Sequence, residues 1–219
     1  MLSNSRKRYL ASASEAYAAQ LAELRPGSDP NGAIRYLADH GVDFGIAAKY
    51  QLGYVAQAVP GDERFTGMLS IPYLTPAGVR GMKFRSLSSG GGKYAKHAGE
   101  KNRLYNAPAY FNAGTAIGLS EGEMDAIAAS EHLAIPTLGV PGVEAWKEQW
   151  RLVFRDFSTV LIFGDGDQPG RDFAYEMAEI IGDRSRIVQC PDGEDVSSMV
   201  AGGRADELLA KMSTSKEDE

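Results

Sequence analysis

From Thr115 onward the chain alternates short apolar runs with amphipathic stretches, and no other feature constrains the fold as tightly. Residues 116–119, 136–140, 159–163 and 186–189 read as strands. Residues 122–132, 143–155 and 168–181 read as helices, with two more starting at Val196 and Ala205. Consecutive strands separated by helices pair in parallel, and a parallel sheet needs helices over both faces. The expectation is an α/β fold with a Rossmann-like parallel sheet.

The preceding segment follows another pattern. Leu10, Tyr17, Leu21 and Leu24 recur at helical spacing, and Arg25-Pro26-Gly27 ends that helix. Asp29 followed by Pro30 reads as an N-cap and first turn, with Ile34, Leu37 and Ala38 as the buried stripe and Gly41 as the stop. Asp43 opens a further short helix toward Lys49, and residues 52–55 read as an edge strand. Residues 68–74 and 79–87 flank Thr75-Pro76-Ala77-Gly78 as a hairpin, and residues 88–92 form a mobile loop rich in serine and glycine. The expected organisation is a smaller N-terminal α+β subdomain over 1–113 and the parallel sheet with C-terminal helices over 114–219. No internal repeat is evident.

Net charge is −6, which by itself argues against nucleic acid, but its distribution is uneven. Arg80, Lys83, Arg85, Lys93, Lys96, Lys101 and Arg103 face a single acid, Glu100, in the same stretch. Such a run is either a solvated strand edge or a phosphate-binding face. Phe84, Tyr94 and Tyr105 are interleaved with it as core residues or as stacking platforms.

The acids gather after the strands of the second half. Glu121 and Asp125 are one helical turn apart, Asp165 and Asp167 bracket Gly166, and Asp192, Glu194 and Asp195 follow the last strand. In parallel α/β sheets ligands bind at the carboxyl ends of the strands. Carboxylates crowded there would repel one another unless a hard cation is shared between them. Magnesium or manganese suits oxygen ligands and bridges to phosphates. One Asp-x-Asp alone is an ordinary turn; three acidic clusters behind three strands of one sheet are not.

These residues carry a resemblance. EGEMDAIAA, followed by LIFGDGDQPGRDFA, resembles the TOPRIM signature shared by DnaG-type primases, topoisomerases, OLD-type nucleases and recombination mediators. The flanking stretches AIRYLADHGVDFGIAAKYQLGYV, MLSIPYLTPAGVRGMKFRSL, GKYAKHAGEKNRLYN and PDGEDVSSMV are similar to segments of the DnaG-type primase catalytic core. The likeness runs from about Ile34 to Leu209 and is phage-like in its compactness.

What the resemblance implies is a TOPRIM fold and a nucleotidyltransferase that makes short RNA primers on single-stranded DNA from ribonucleoside triphosphates during DNA replication. Glu121, Asp165 and Asp167 would be catalytic. Those three with Asp195 and Asp192 would hold Mg2+ or Mn2+. Lys83, Arg85, Lys93, Arg103 and Asp125 would contact template or nucleotide. The motif's second closing acid is Ser197 here, which weakens one metal contact or hands it to Asp192. The zinc module and helicase-binding domain of full-length primases are missing, so a separate zinc-binding subunit or a replicative helicase is an expected partner. A TOPRIM nuclease and a non-catalytic replication accessory that binds single-stranded nucleic acid are the alternative readings.

Other features exclude rather than assign. The single cysteine, Cys190, permits no internal disulfide and no cysteine-based zinc site, so no zinc is expected. His40, His97 and His132 have no shared metal spacing. No apolar run approaches the roughly 20 residues of a membrane helix, and the polar N-terminus lacks a signal sequence, so a cytoplasmic site is expected. Trp146 and Trp150 read as packing residues on the helix over 143–155, and Gly139-Val140-Pro141-Gly142 as a turn or a phosphate-facing loop.

Overall fold

Ser3 starts the first helix by accepting the Arg6 amide, and α1 (Asn4–Glu23) runs until Leu24 turns extended ahead of Pro26. The structure, a computed structural model, describes residues 2–88, 92–142 and 145–213. It divides into two compact units, Met1–Lys101 and Asn102–Glu219. The division falls earlier than residue 113. Tyr105 pairs with Gly139, and Ala109 is buried in the second unit's core, so the segment after Asn102 goes with the parallel sheet.

In the first unit α1 is followed by α2 (Ala33–Ala38) and α3 (Phe44–Lys49). An antiparallel sheet then forms in the order β1 (Gly53–Tyr54), β2 (Leu69–Thr75), β3 (Gly78–Arg85) and β4 (Tyr94–Lys96). Strand β4 was not anticipated, and residues 89–91 of the expected mobile loop lie outside the described residues. Asp29 caps α2 from a distance: its carboxylate accepts the Ala33 and Ile34 amides at 2.8 Å each. The helix therefore begins after Pro30, not with it.

Leu10, Ala13 and Tyr17 of α1 pack on Val55, Phe65, Val79, Met82 and Phe84, with Phe65 and Phe84 stacked at 3.7 Å. A Cβ on Gly53 would stand 2.5 Å from the Tyr17 backbone, so only glycine lets α1 lie this close to β1.

Beneath this core sits a buried polar knot. The Asp62 carboxylate has no exposure; it accepts from the Tyr9 and Tyr17 hydroxyls, the latter at 2.7 Å, and lies 2.6 Å from His97 Nε2. Glu100 accepts the Met82 amide at 2.7 Å and faces His97 Nδ1 and Arg6. The single acid of the basic stretch is thus committed inside the fold.

In the second unit β5 (Ala116–Glu121), β6 (Thr137–Val140), β7 (Thr159–Gly164) and β8 (Ser185–Gln189) form a fully parallel sheet in the order β6-β5-β7-β8. Alternate residues of β7 serve two cores, as a strand's period of two requires. Val160 and Ile162 meet α4 (Pro108–Asn112), α6 (Gln168–Ile181) and the Phe154–Phe157 region through Ala109, Phe173 and Met177. Leu161 and Phe163 meet α5 (Glu123–His132), α7 (Val196–Ala201) and α8 (Ala205–Ser213). The helix expected over 143–155 does not form as such. Residues 143–144 lie outside the described residues, and Glu148–Asp156 is 3-10 helix. Trp146 and Trp150 do pack, edge to face at 5.7 Å. No described helix is long and apolar enough to cross a membrane.

Replacing Asp62 by alanine would remove the buried acceptor shared by two tyrosine hydroxyls and an imidazole, and urea unfolding should show a loss of about 3 kcal/mol or more. The facing Glu100 carboxylate, followed by Asp62, raises His97 above its ordinary 6.5, against burial and Arg6. Its stabilisation is complete below pH 6.5 and lost as pH climbs through the higher folded value. Thermal melts of His97→Gln across pH 5.5 to 8.5 should show a flatter pH dependence than the parent chain.

Candidate active site

The sheet order puts β5 and β7 side by side, with β6 and β8 outside them. The direction of winding reverses between β5 and β7, and a parallel sheet opens a crevice at that point beyond its strand ends. Glu121 is the last residue of β5, and Asp165 follows Gly164, the last residue of β7. Asp125 lies on the first turn of α5 and is only 6% exposed.

Two loops carry the remaining acids, and the backbone fastens them together. The Gly166 amide donates to the Glu194 carbonyl at 2.7 Å, and the Gly193 amide returns a bond to the Gly166 carbonyl at 3.1 Å. A Cβ on Gly166 would lie 1.7 Å from the Pro191 carbonyl oxygen, so the Asp-Gly-Asp spacing is set by contact as well as by turn geometry. Gln189 donates to the carbonyls of Gly164 and Asp165 at 3.1 and 2.7 Å. Arg171 reaches back to the Gly166 carbonyl at 3.0 Å and to Asp192 at 3.1 Å. On the far side Arg204 pairs with Glu194 and Glu207.

Helix ends aim two of the carboxylates. Asp167 caps α6 by accepting the Gly170 amide at 2.8 Å, and Asp195 caps α7 by accepting the Ser198 amide at 2.7 Å. Ser197 donates its hydroxyl to Asp195 at 2.9 Å and its amide to Asp125 at 2.9 Å.

Asp165 sits among these groups with its Oδ1 buried and without a hydrogen-bond partner. Burial first, then the charges of Asp125, Asp195, Glu121 and Asp167, push its carboxyl up to about 9. Burial and Asp195 likewise push Asp125 up to about 7, against the Ser197 amide and hydroxyl. The structure therefore brings Glu121, Asp125, Asp165, Asp167 and Asp195 into one electrostatic neighbourhood. Asp192 is elsewhere: its side chain is 97% exposed and engaged by Arg171.

An orphaned, repelled carboxylate oxygen fits a divalent cation, whose charge removes the cause of the repulsion. Among the described residues no three acidic, histidine or cysteine side chains form a ready-made cage. Magnesium does not need one, because it keeps several waters and binds through one or two carboxylates plus substrate phosphates.

The basic stretch forms a second feature, in the first unit. Lys83 and Arg85 alternate on β3 with buried Met82 and Phe84, and β4 sets Lys96 and Tyr94 opposite them. Lys83 Nζ lies 3.9 Å from the Tyr94 ring centre, and the Arg85 guanidinium lies between Tyr94 and Tyr36 at 4.8 and 5.1 Å. Of the three candidate stacking residues, Phe84 and Tyr105 are buried to 1% or less, whereas Tyr94 is 41% exposed. Lys93 is exposed just ahead of β4. Arg103 belongs to the second unit and not to this strand face.

The sequence assigned no role to Gln189 or Arg171, and it marked Ser197 only as a lost acid. Arg171 carried a local sign, standing one helical turn beyond Asp167.

Residues 118–200 match a family model described as Toprim-like. The Gene 57 protein of Mycobacterium phage D29 is 39% identical over 153 residues, which is 68% of this chain and 99% of that protein. A DNA primase of Pseudomonas putida is 32% identical over 98 residues, 42% of this chain but 15% of that protein. The chain thus matches a small part of the bacterial enzyme's length. The RNA polymerase domain of Mycobacterium tuberculosis primase DnaG superposes with a TM-score of 0.75 at 20% identity, over 96% of this chain and 83% of that one. The same domain in complex with a double-stranded DNA oligomer bearing a 6-nucleotide overhang gives 0.74 at 19% identity, over 97% and 81%. At these identities the structural likeness is one of fold.

Because the folded Asp165 carboxyl lies near 9 and an unfolded one near 3.8, the cation-free protein loses stability as pH rises between those values. In chelator, Asp165→Asn should melt above the parent chain at pH 8, with a smaller difference at pH 5. Gly166→Ala should cost about 3 kcal/mol in denaturant unfolding, because its methyl meets the backbone of the facing loop.

Proposed function

We propose that this chain, which belongs to the family of the Gene 57 protein of Mycobacterium phage D29 and has the catalytic-core fold of DnaG-type primases, joins ribonucleotides into short RNA primers on single-stranded DNA. The observation that carries the reading is Asp165, an unpartnered and repelled carboxylate oxygen among Glu121, Asp125, Asp167 and Asp195 where β5 and β7 end.

In this reading Asp165, Asp167, Glu121 and Asp195 hold Mg2+ or Mn2+. Bound there, the divalent ion supplies charge neutralisation for triphosphate oxygens and lowers the pKa of an attacking 3′ hydroxyl. Asp167 and Asp195 are presented by their helix caps, which spares the cost of orienting them when nucleotide arrives. Asp125 sits behind them, buried, and steadies the cluster through Ser197. Asp192 serves as the counter-anchor of Arg171.

On the first unit, Lys83, Arg85 and Lys93 contact template or nucleotide phosphates, and Tyr94 offers a ring for a base. Arg103 adds a phosphate contact from the second unit. Contacts of this kind go to the phosphates, so template binding falls with salt. A replicative helicase or a separate zinc-binding subunit is the protein partner this reading implies, and the host cytoplasm is the setting for a phage-encoded protein of this kind.

The test is primer synthesis on mixed-sequence single-stranded DNA with labelled ribonucleoside triphosphates and magnesium or manganese. Asp165→Asn and Asp167→Asn should each reduce product by about two orders of magnitude or more. Asparagine keeps the α6 cap at position 167, so the fold is retained. Failure to extend even a supplied dinucleotide would overturn the reading. Cleavage of the DNA in the same reactions would point to a nuclease.

A further inference from the structure

Ser197 is 1% exposed, and both of its donors are spent on acidic side chains of the cluster. Its hydroxyl bonds Asp195 Oδ1 at 2.9 Å, and its amide bonds Asp125 Oδ1 at 2.9 Å. Asp195 and Asp125 lie 70 positions apart, on α7's cap and on α5 respectively. One residue therefore spans two carboxylates that would otherwise repel each other.

We infer that Ser197 is a positioning residue for the divalent-cation site, a neutral tether that fixes Asp195 and Asp125 relative to Asp165. The assignment rests on the metal reading given above and deepens it. The hydroxyl donates to the same Asp195 oxygen, Oδ1, that receives the Ser198 amide at 2.7 Å. Two donors on one oxygen fix the carboxylate's orientation, and among the described residues none donates to its Oδ2. On the other side, the Ser197 amide ties α5 to α7 through Asp125, a bond that any residue but proline preserves.

The different reach of amide and hydroxyl gives the role a signature. Removing the hydroxyl releases Asp195 and takes one donor away from Asp125, while the amide keeps the α5–α7 link in place, so cation affinity should change far more than stability. A carboxylate at this position would instead set a third negative charge within hydrogen-bond distance of Asp195. The serine lets the tether hold the acids without adding to their repulsion.

The experiment is Mn2+ binding by paramagnetic resonance on the full chain, alongside thermal melting, for the parent, Ser197→Ala, Ser197→Cys and Ser197→Thr. Outer residues that orient metal-binding carboxylates typically change affinity by 10–100-fold, so Ser197→Ala is expected to weaken Mn2+ about tenfold with little change in melting temperature. Ser197→Cys keeps the bulk but donates only weakly, and should fall with alanine; Ser197→Thr keeps the hydroxyl and should recover most of the loss. If the alanine variant melts early, the cysteine variant decides. Parent-like Mn2+ affinity in a folded Ala or Cys variant, or equal losses in all three variants, overturns the assignment, as does a parent chain that binds no Mn2+. A parent that binds Mn2+ but makes no primer, with Ser197→Ala still weakened, removes the primase reading and leaves the tether standing.

Discussion

Repulsion among carboxylates at the ends of β5, β7 and β8 is the constraint around which the second unit is arranged. The surrounding donors hold the acids and the loops that carry them. Backbone amides of Gly166, Gly170 and Ser198, the side chain of Gln189, the Ser197 hydroxyl and the guanidinium of Arg171 bond the two acidic loops or their backbone, and the Ser197 amide bonds Asp125 on α5. Neutral donors predominate, and the arginines attach to the outer acids Asp192 and Glu194. That division leaves Asp165 uncompensated, because a cation side chain beside it would fill the electrostatic role of a metal.

The alternation of strands and helices and the acids behind the strands could be read directly, because both follow from local periodicity and from the rule that parallel sheets bind at their carboxyl ends. The basic face of β3 was legible for the same reason: Lys83 and Arg85 alternate with Met82 and Phe84. Other parts have no local record. The Asp62 knot draws partners from positions 9, 17, 97 and 100, and no spacing rule joins them. The stretch 143–155 has helical apolar spacing, yet its described portion tightens into 3-10 geometry where Trp146, Trp150 and Phe154 pack. The boundary between the units falls before Asn102 because the alternation of strands and helices is visible only from Thr115, whereas the 102–112 segment buries Tyr105 and Ala109 with the parallel sheet.

Ser197 illustrates what motif comparison conveys and what it omits. As a departure from an acidic pattern, it reads as a lost ligand. In three dimensions it is a gained donor, with both bonds directed at acids that remain. Asp192 shows the converse: an acid inside the motif whose partner is an arginine rather than the cluster. Residue type at a motif position is therefore a poor guide to role until its hydrogen bonds are known.

The Asp165 carboxyl, pushed up to about 9, bears on the proposed cation site. Metal coordination requires carboxylates, and at neutral pH the crowded acids would share a proton. A cation binding there would expel that proton, so loading would be an exchange and not a simple addition. Apparent affinity then rises with alkalinity, and the heat of loading includes the ionisation heat of whatever buffer takes up the proton.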